Sequence, residues 1–453
     1  MDTRLSNLFR MAACVMLLLL AETGAIPRAQ ALDVGVASVD ITPPTGIPMP
    51  GYEARKEPSQ GVWDPLFAKA LVMDDGSRRA AFVVMDLIGP PKKEMRDRIQ
   101  EQVKKKHNIS LILFLATHTH SGPVLKPEYP TPDNPWLPGL EEKILQVIDK
   151  AVASKTSVTV EVGYGTADLT YDRRVVNPDG TVTMLWRNAE RTPGDPVDQT
   201  VGVVGFKKKN GQWLATLVHF AGHPVIFGSA NLKYSAEWPG AMRRFVEKQL
   251  GGECLFLQGA CGVANPYLAN TPPTEEGYAQ LIQEGQTLGE AVVRIAGVTN
   301  PIGSAMPALN LSTETVPLKQ RYDLNDEKVK EFYIQQYGKE RYEEILKDRP
   351  SELPAELPIV ILGKEIAWAG FPGEFFDEFQ VDLRERSPVP NTFFLGYCND
   401  VFGYFPTIQA AAEGGYGAGY STYVEVGAGE LLVNRAIIDL HRLMGRLKTV
   451  PEK

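Results

Sequence analysis

The sequence predicts an α/β fold, with a mixed and largely buried sheet flanked by helices, on three observations. Apolar runs of strand length alternate along the chain with longer amphipathic segments. Several of those runs, L-I-L-F-L-A at Leu111–Ala116 above all, are apolar at every position, the pattern of a strand covered on both faces. Stretches rich in Pro and Gly, which regular structure does not tolerate, separate the segments.

In chain order, residues 1–31 read as a signal peptide outside the fold. Arg4 and Arg10 precede an apolar run, Met11–Leu20, and Ala29-Gln30-Ala31 closes the segment. A charged start, a short apolar core and an A-x-A end make a Sec-type signal, and the run is too short to span a bilayer. Leu32 and not a cysteine follows, so no lipoprotein signal is read. The mature chain is expected to begin near Leu32 and to be secreted or periplasmic. Losing three Arg and two acidic residues moves the net charge from -8 to -9. That balance argues against nucleic acid as a partner, and no later apolar stretch reads as a transmembrane segment.

Strands are expected at Phe67–Met73, Ala81–Asp86, Leu111–Ala116, Val203–Phe206, Ala215–Phe220, Cys254–Leu257, Ile359–Leu362 and Ile366–Ala369. Helices are expected at Pro91–Lys106, Leu140–Ala153, Pro239–Leu250, Glu275–Ile295, Glu327–Lys347, Glu374–Arg386 and Glu430–Leu447. Asp40–Gly51 and Glu128–Pro138 read as irregular loops. The charged segment Asn325–Lys347 reads as a solvated surface helix. No repeat or low-complexity linker divides the chain, so residues 32–453 are taken as one catalytic domain. Cys254, Cys261 and Cys398 remain in it. They allow one disulfide at most, and their spacing does not choose the pair. No C-x-x-C occurs, which argues against a thiolate zinc site.

The histidines carry the chemistry. There are six, and four fall in two clusters. T-H-T-H-S-G-P puts His118 and His120 directly after the Leu111–Ala116 run. If the chain stays extended there, both point to one side, at the carboxyl end of a buried strand, where open α/β sheets bind ligands. A-T-L-V-H-F-A-G-H-P repeats the plan, with His223 in a turn and His219 still inside the strand, as a core histidine. Two further strands end in similar turns: C-L-F-L-Q-G-A-C-G-V-A-N-P, whose glycines let backbone N–H groups approach an oxyanion, and E-I-A-W-A-G-F-P-G-E-F, where Glu374 opens a helix. Two histidines and a carboxylate suit a zinc site with a position left for water.

Through these motifs the chain resembles the neutral/alkaline non-lysosomal ceramidase family. V-G-V-A-S-V-D-I-T-P-P at Val34–Pro44 and G-V-W-D-P-L-F-A-K-A-L-V at Gly61–Val72 are similar to the family's opening, and T-H-T-H-S-G-P is its most recognisable motif. The resemblance implies one Zn2+ held by His118, His223, Glu374 and Tyr404. It also implies an active-site role for His120, for Arg173 in Y-D-R-R, and for Tyr416, twelve positions after Tyr404. Tyr416 read on its own is equally an aromatic in a glycine loop, and Arg174 is the neighbour with which Arg173 is most easily confused. The family's serine nucleophile corresponds to Asn265, which cannot form an acyl intermediate, and its C-terminal immunoglobulin-like domain has no counterpart here. The resemblance therefore implies a zinc-dependent hydrolase that cleaves an amide (N-acyl) bond with a zinc-activated water, Asn265 donating or accepting a hydrogen bond in the pocket. The substrate is expected to be a small molecule or lipid-like compound. Two alternatives stay open: a zinc hydrolase of a carbohydrate, peptide or ester, and a non-catalytic zinc-containing binding protein.

Overall fold

The computed structural model describes residues 32–132, 134–303, 307–348 and 352–448, so the expected signal peptide lies outside the described residues. The first sheet contains β1 (Asp33–Asp40), β2 (Phe67–Asp74), β3 (Arg79–Met85), β4 (Leu111–Ala116), β5 (Thr156–Thr166), β6 (Thr200–Lys208), β7 (Trp213–Phe220) and β8 (Glu253–Gln258). Its spatial order is β8-β7-β6-β5-β1-β2-β3-β4. Neighbours are antiparallel except at the two ends, where β3–β4 and β7–β8 are parallel. A second sheet has β9 (Leu309–Lys319), β10 (Glu352–Leu362), β11 (Ile366–Gly370) and β12 (Asn391–Leu395), the last pair parallel.

Alternation within strands shows how these layers stack. In β3, Phe82 and Val84 join a core containing Val360, Trp368 and Phe393 of the second sheet. Ala81, Val83 and Met85, one residue out of phase, pack with Ile99 and Val103 of α1 (Lys93–His107) and with Ile144 and Ile148 of α2 (Leu137–Ala153). At the other end of the sheet, Val218 and Phe220 meet α3 (Glu237–Leu250) and α4 (Glu275–Ala296). The second sheet turns Ile359, Ile361 and Phe394 outward against α7 (Glu378–Arg386) and α9 (Ala428–Leu443). The order of layers is helices, sheet, sheet, helices. The expected class holds, and the inner face of the main sheet is covered by another sheet. A run apolar at every position records two covered faces without recording what covers them.

The charged segment forms two helices, α5 (Glu327–Tyr337) and α6 (Lys339–Asp348), broken at Gly338, whose φ is 85°. A short helix, α8 (Ile408–Glu413), comes later in the chain. Among the described residues no helix is long and apolar enough to cross a membrane. The three cysteines are free and buried.

What positions the site is the set of parallel pairs. Each is a βαβ unit: β3-α1-β4, β7-α3-β8 and β11-α7-β12. The loops leaving the carboxyl ends of these strands carry the histidines, Asn265, Glu374 and Tyr404.

Candidate metal centre and active site

After β4 the backbone does not stay extended. His118 has φ 67°, and its N–H donates to the carbonyl of Leu87 at 3.0 Å. That left-handed turn, unfavourable for a side chain larger than glycine, sets the rings of His118 and His120 nearly perpendicular, with their Nε2 atoms 3.0 Å apart. The expected meeting of the two histidines is thus reached through a turn. Nδ1 of His118 lies 2.7 Å from the carbonyl oxygen of Ile88. A carbonyl only accepts, so Nδ1 carries the proton and the Nε2 lone pair faces inward. The ring of Tyr397 stacks on His118 at 4.0 Å.

His120 is buried, and burial, reinforced by the facing imidazoles of His118 and His223, holds it well below the usual histidine range. Its Nδ1 has no hydrogen-bond partner among the described residues. Tyr52 packs edge-on against its ring at 5.1 Å. Gly51, with φ 107°, presses on the same ring: a Cβ there would lie 2.5 Å from Nδ1.

His223 reaches the same point from the second unit. Its Nδ1 sits 3.3 Å from the Ala264 carbonyl, and its Nε2 is 3.2 Å from Oε2 of Glu374. Burial lowers its pKa to about 4. The indole N–H of Trp238 donates to the His223 carbonyl at 3.0 Å. His219 stays out of the site: its ring meets the Phe394 carbonyl at 2.7 Å inside the core. The two histidine loops are tied by Gln258, whose amide donates to the Thr117 carbonyl at 3.1 Å and to the Gly222 carbonyl at 2.9 Å.

Glu374 does not open a helix, as the sequence suggests it would. Glu374–Phe375 is a two-residue strand parallel to Tyr404–Phe405, and the helix begins only at Glu378. The strand is possible because residue 373 is glycine; a Cβ there would strike the Phe405 ring at 2.5 Å. The pairing aims the carboxylate inward, with Oε2 3.5 Å from Nε2 of His118. Burial opposes its ionisation, but the imidazoles of His118 and His223 outweigh that and hold the carboxyl well below the ordinary range.

The donor set fits a cation. His118, His120 and His223 are buried with their ligand atoms within 4.8 Å of one another. The carbonyls behind His118 and His223 direct both Nε2 atoms at a carboxylate oxygen, an arrangement that needs a proton or a cation between them. Buried imidazoles facing a buried carboxylate are ordinary zinc ligands.

Tyr404 and Arg173 form the adjoining half. The Tyr404 hydroxyl accepts from Arg173 Nη2 at 3.0 Å. Burial, partly offset by Arg173, keeps its phenol well above the usual range. Arg173 also donates to Gly262 O at 2.8 Å and to Asn265 Oδ1 at 3.3 Å. It thus rests on neutral acceptors, enclosed by the rings of Trp186, Tyr404 and Tyr416. Arg174 turns away to Glu413 and the Gly414 carbonyl. Tyr416 is half-buried, 5.2 Å from the Tyr404 ring. All eight residues singled out in the sequence therefore gather in one place. Sequence reasoning passes over Ile88, Tyr397, Tyr52, Gln258 and Trp186. Only Tyr397 leaves a trace, inside the G-Y-C-N-D segment that leads to Tyr404.

Known proteins share this fold. The family model described as neutral/alkaline non-lysosomal ceramidase, N-terminal, matches residues 32–264. The neutral ceramidase of Drosophila pseudoobscura pseudoobscura is 35% identical over 95 residues, 20% of this chain; the match spans only 14% of that protein's length. The crystal structure of neutral ceramidase from Pseudomonas aeruginosa superposes with a TM-score of 0.71 at 18% identity, covering 93% of this chain and 76% of that one. A ceramidase complexed with C2 gives 0.72 at 18% identity, covering 94% and 77%. At that identity the likeness is one of fold.

Proposed function

The chain belongs to the neutral/alkaline non-lysosomal ceramidase family, and on that premise we propose that it is an exported, zinc-dependent hydrolase of an amide (N-acyl) bond. The observation that carries the proposal is the convergence of the His118 and His223 lone pairs on the Glu374 carboxylate, at 3.5 and 3.2 Å. His118, His223 and Glu374 would hold the ion, with Tyr404 as the fourth ligand. Bound zinc supplies Lewis acidity and makes water ionisable near neutral pH. The carbonyls of Ile88 and Ala264 keep the two ligand imidazoles in the right tautomer. Arg173, whose charge no carboxylate among the described residues meets at hydrogen-bond distance, takes the substrate's carbonyl oxygen as it gains negative charge. Asn265 fixes Arg173 through Oδ1 and offers no hydroxyl, so the attacking oxygen comes from water. His120, neutral through burial, takes the proton of that water and returns it to the departing amine. Tyr416 lines the approach to the reacting carbonyl.

Elemental analysis is the test. We expect one zinc per chain, lost in His118→Ala and in His223→Ala and kept in His219→Ala. A screen of N-acyl compounds should find hydrolysis that a chelator abolishes. Full zinc in both ligand variants, or hydrolysis indifferent to chelator, sinks the reading.

A further inference from the structure

Two residues of this centre hold a backbone conformation that favours glycine, and they face each other. His118 has φ 67° and Tyr397 has φ 50°. Their rings stack at 4.0 Å with 21° between the planes. His118 follows β4 and Tyr397 follows β12, so the stack joins the first βαβ unit to the third. The backbone brings the two strand exits together. The Ala116 N–H donates to the Tyr397 carbonyl at 3.4 Å. Two residues on, the Asn399 N–H donates to the Phe114 carbonyl at 2.8 Å, and Asn399 Oδ1 accepts from the Phe114 N–H at 3.0 Å. The second unit enters through Cys261, which follows β8: its Sγ shares a hydrogen bond with the Tyr397 hydroxyl at 3.0 Å. Tyr397 and Cys261 are both fully buried.

A bulky residue in the left-handed region is strained, and it persists where its surroundings over-determine it. At Tyr397 the imidazole and the thiol hold the ring itself. The other hold on His118 is the Ile88 carbonyl at Nδ1. A single hydrogen bond fixes one atom of the imidazole and leaves rotation about that bond, whereas a flat aromatic face fixes the plane. We propose that Tyr397, steered by Cys261, is a positioning residue that sets the plane of the His118 imidazole and so aims its Nε2 at the ion. The inference rests on the zinc reading and concerns how the chain prepares for its metal. Neither Tyr397 nor Cys261 touches the ion; both act through His118.

Zinc affinity of the full chain, measured by competition with a chromophoric chelator, tests this. Tyr397→Leu removes the flat face and should weaken zinc roughly tenfold or more, the usual effect of losing a group that orients a ligand. Tyr397→Phe keeps the face and should lose about threefold, the order of one neutral hydrogen bond. Cys261→Ala should match Tyr397→Phe, and the double variant should be no weaker than either, because both remove the same bond. Cys254→Ala is the control for packing alone: it deletes an equally buried thiol from the core beneath α3 and should leave the affinity unchanged. The visible spectrum of the Co2+-loaded protein, which reports ligand geometry, should shift in Tyr397→Leu and not in Cys254→Ala. A folded Tyr397→Leu variant that binds zinc as the parent does overturns the inference. So does a loss in Cys254→Ala equal to that in Cys261→Ala, which reduces the pair to core packing. If Tyr397→Leu does not fold, the cycle of Tyr397→Phe and Cys261→Ala decides alone, and losses that add in the double variant overturn the inference. A parent that takes up no zinc sinks the metal reading and this inference with it, and is told apart because the parent itself fails.

Discussion

Gly51 and Asn265 show how much of the site depends on single positions. At Gly51 the backbone has φ 107°, and a methyl group would enter the His120 ring. Gly51→Ala should therefore shift His120 while leaving the core alone. We expect hydrolysis to fall by about one to two orders of magnitude, the usual effect of misplacing a catalytic group, with zinc content nearly unchanged and the thermal midpoint lowered by the strain of a side chain at φ 107°. Asn265 makes a kinetic prediction. With no hydroxyl there, hydrolysis should run in one chemical stage, with no burst of first product and no acyl-protein in the mass spectrum. An adduct on any side chain under turnover contradicts this. Asn265→Ala should weaken activity through a loosened Arg173, since water remains the nucleophile. Both histidine clusters are legible in the sequence because a rare residue recurs at strand ends. Tyr404 comes from family resemblance alone: nothing in its spacing marks a phenol as a ligand. Trp186 and Ile88 are not legible, since one acts through segments far apart in the chain and the other through its backbone.

At the scale of elements, continuous apolar runs stand out in the sequence and alternating ones do not. β5 reads T-S-V-T-V-E-V-G-Y-G-T and β9 reads L-N-L-S-T-E-T-V-P-L-K, each half-buried and polar at every second position or nearly so. Both lie where one face of the sheet reaches solvent, so their apolar content is too diluted to form a run. Glu374 reads as helical because a P-G turn before an amphipathic segment resembles a helix start; its strand pairing with Tyr404 is a long-range contact. The first βαβ unit is fastened to the second by a buried ion pair, Arg243 Nη2 to Asp86 Oδ2 at 2.6 Å, while Asp86 also accepts from the Phe67 N–H. Arg243→Met should leave the Asp86 carboxylate buried and unpaired, at a cost of about 3–5 kcal/mol. Urea unfolding would measure it. A loss under 1 kcal/mol, against that expectation, would show that water reaches Asp86.

The whole molecule should be sensitive to acid, because it buries histidines in neutral form. Burial takes His219 from 6.5 to about 4, the hydrogen bond with the Phe394 carbonyl opposing the shift. Between those values the unfolded chain binds the proton and the folded chain does not, so stability falls as pH falls. The loss begins below about 6.5, is complete near 4, and amounts to on the order of 3 kcal/mol for this group. Denaturant titrations of the metal-free protein from pH 7 to 4 should show a shallower decline in His219→Gln than in the parent; equal slopes would mean His219 is already protonated in the fold. The three βαβ units have a consequence in time. The residues proposed to hold the ion lie at positions 118, 223, 374 and 404, so no partly synthesised or partly folded chain would own the complete coordination sphere. A protein exported unfolded would cross the membrane without its ion and acquire it only on arrival. On the proposed reading the bound ion would then reflect the supply in the compartment where folding finishes, since a site of nitrogen and oxygen donors would bind copper at least as tightly as zinc.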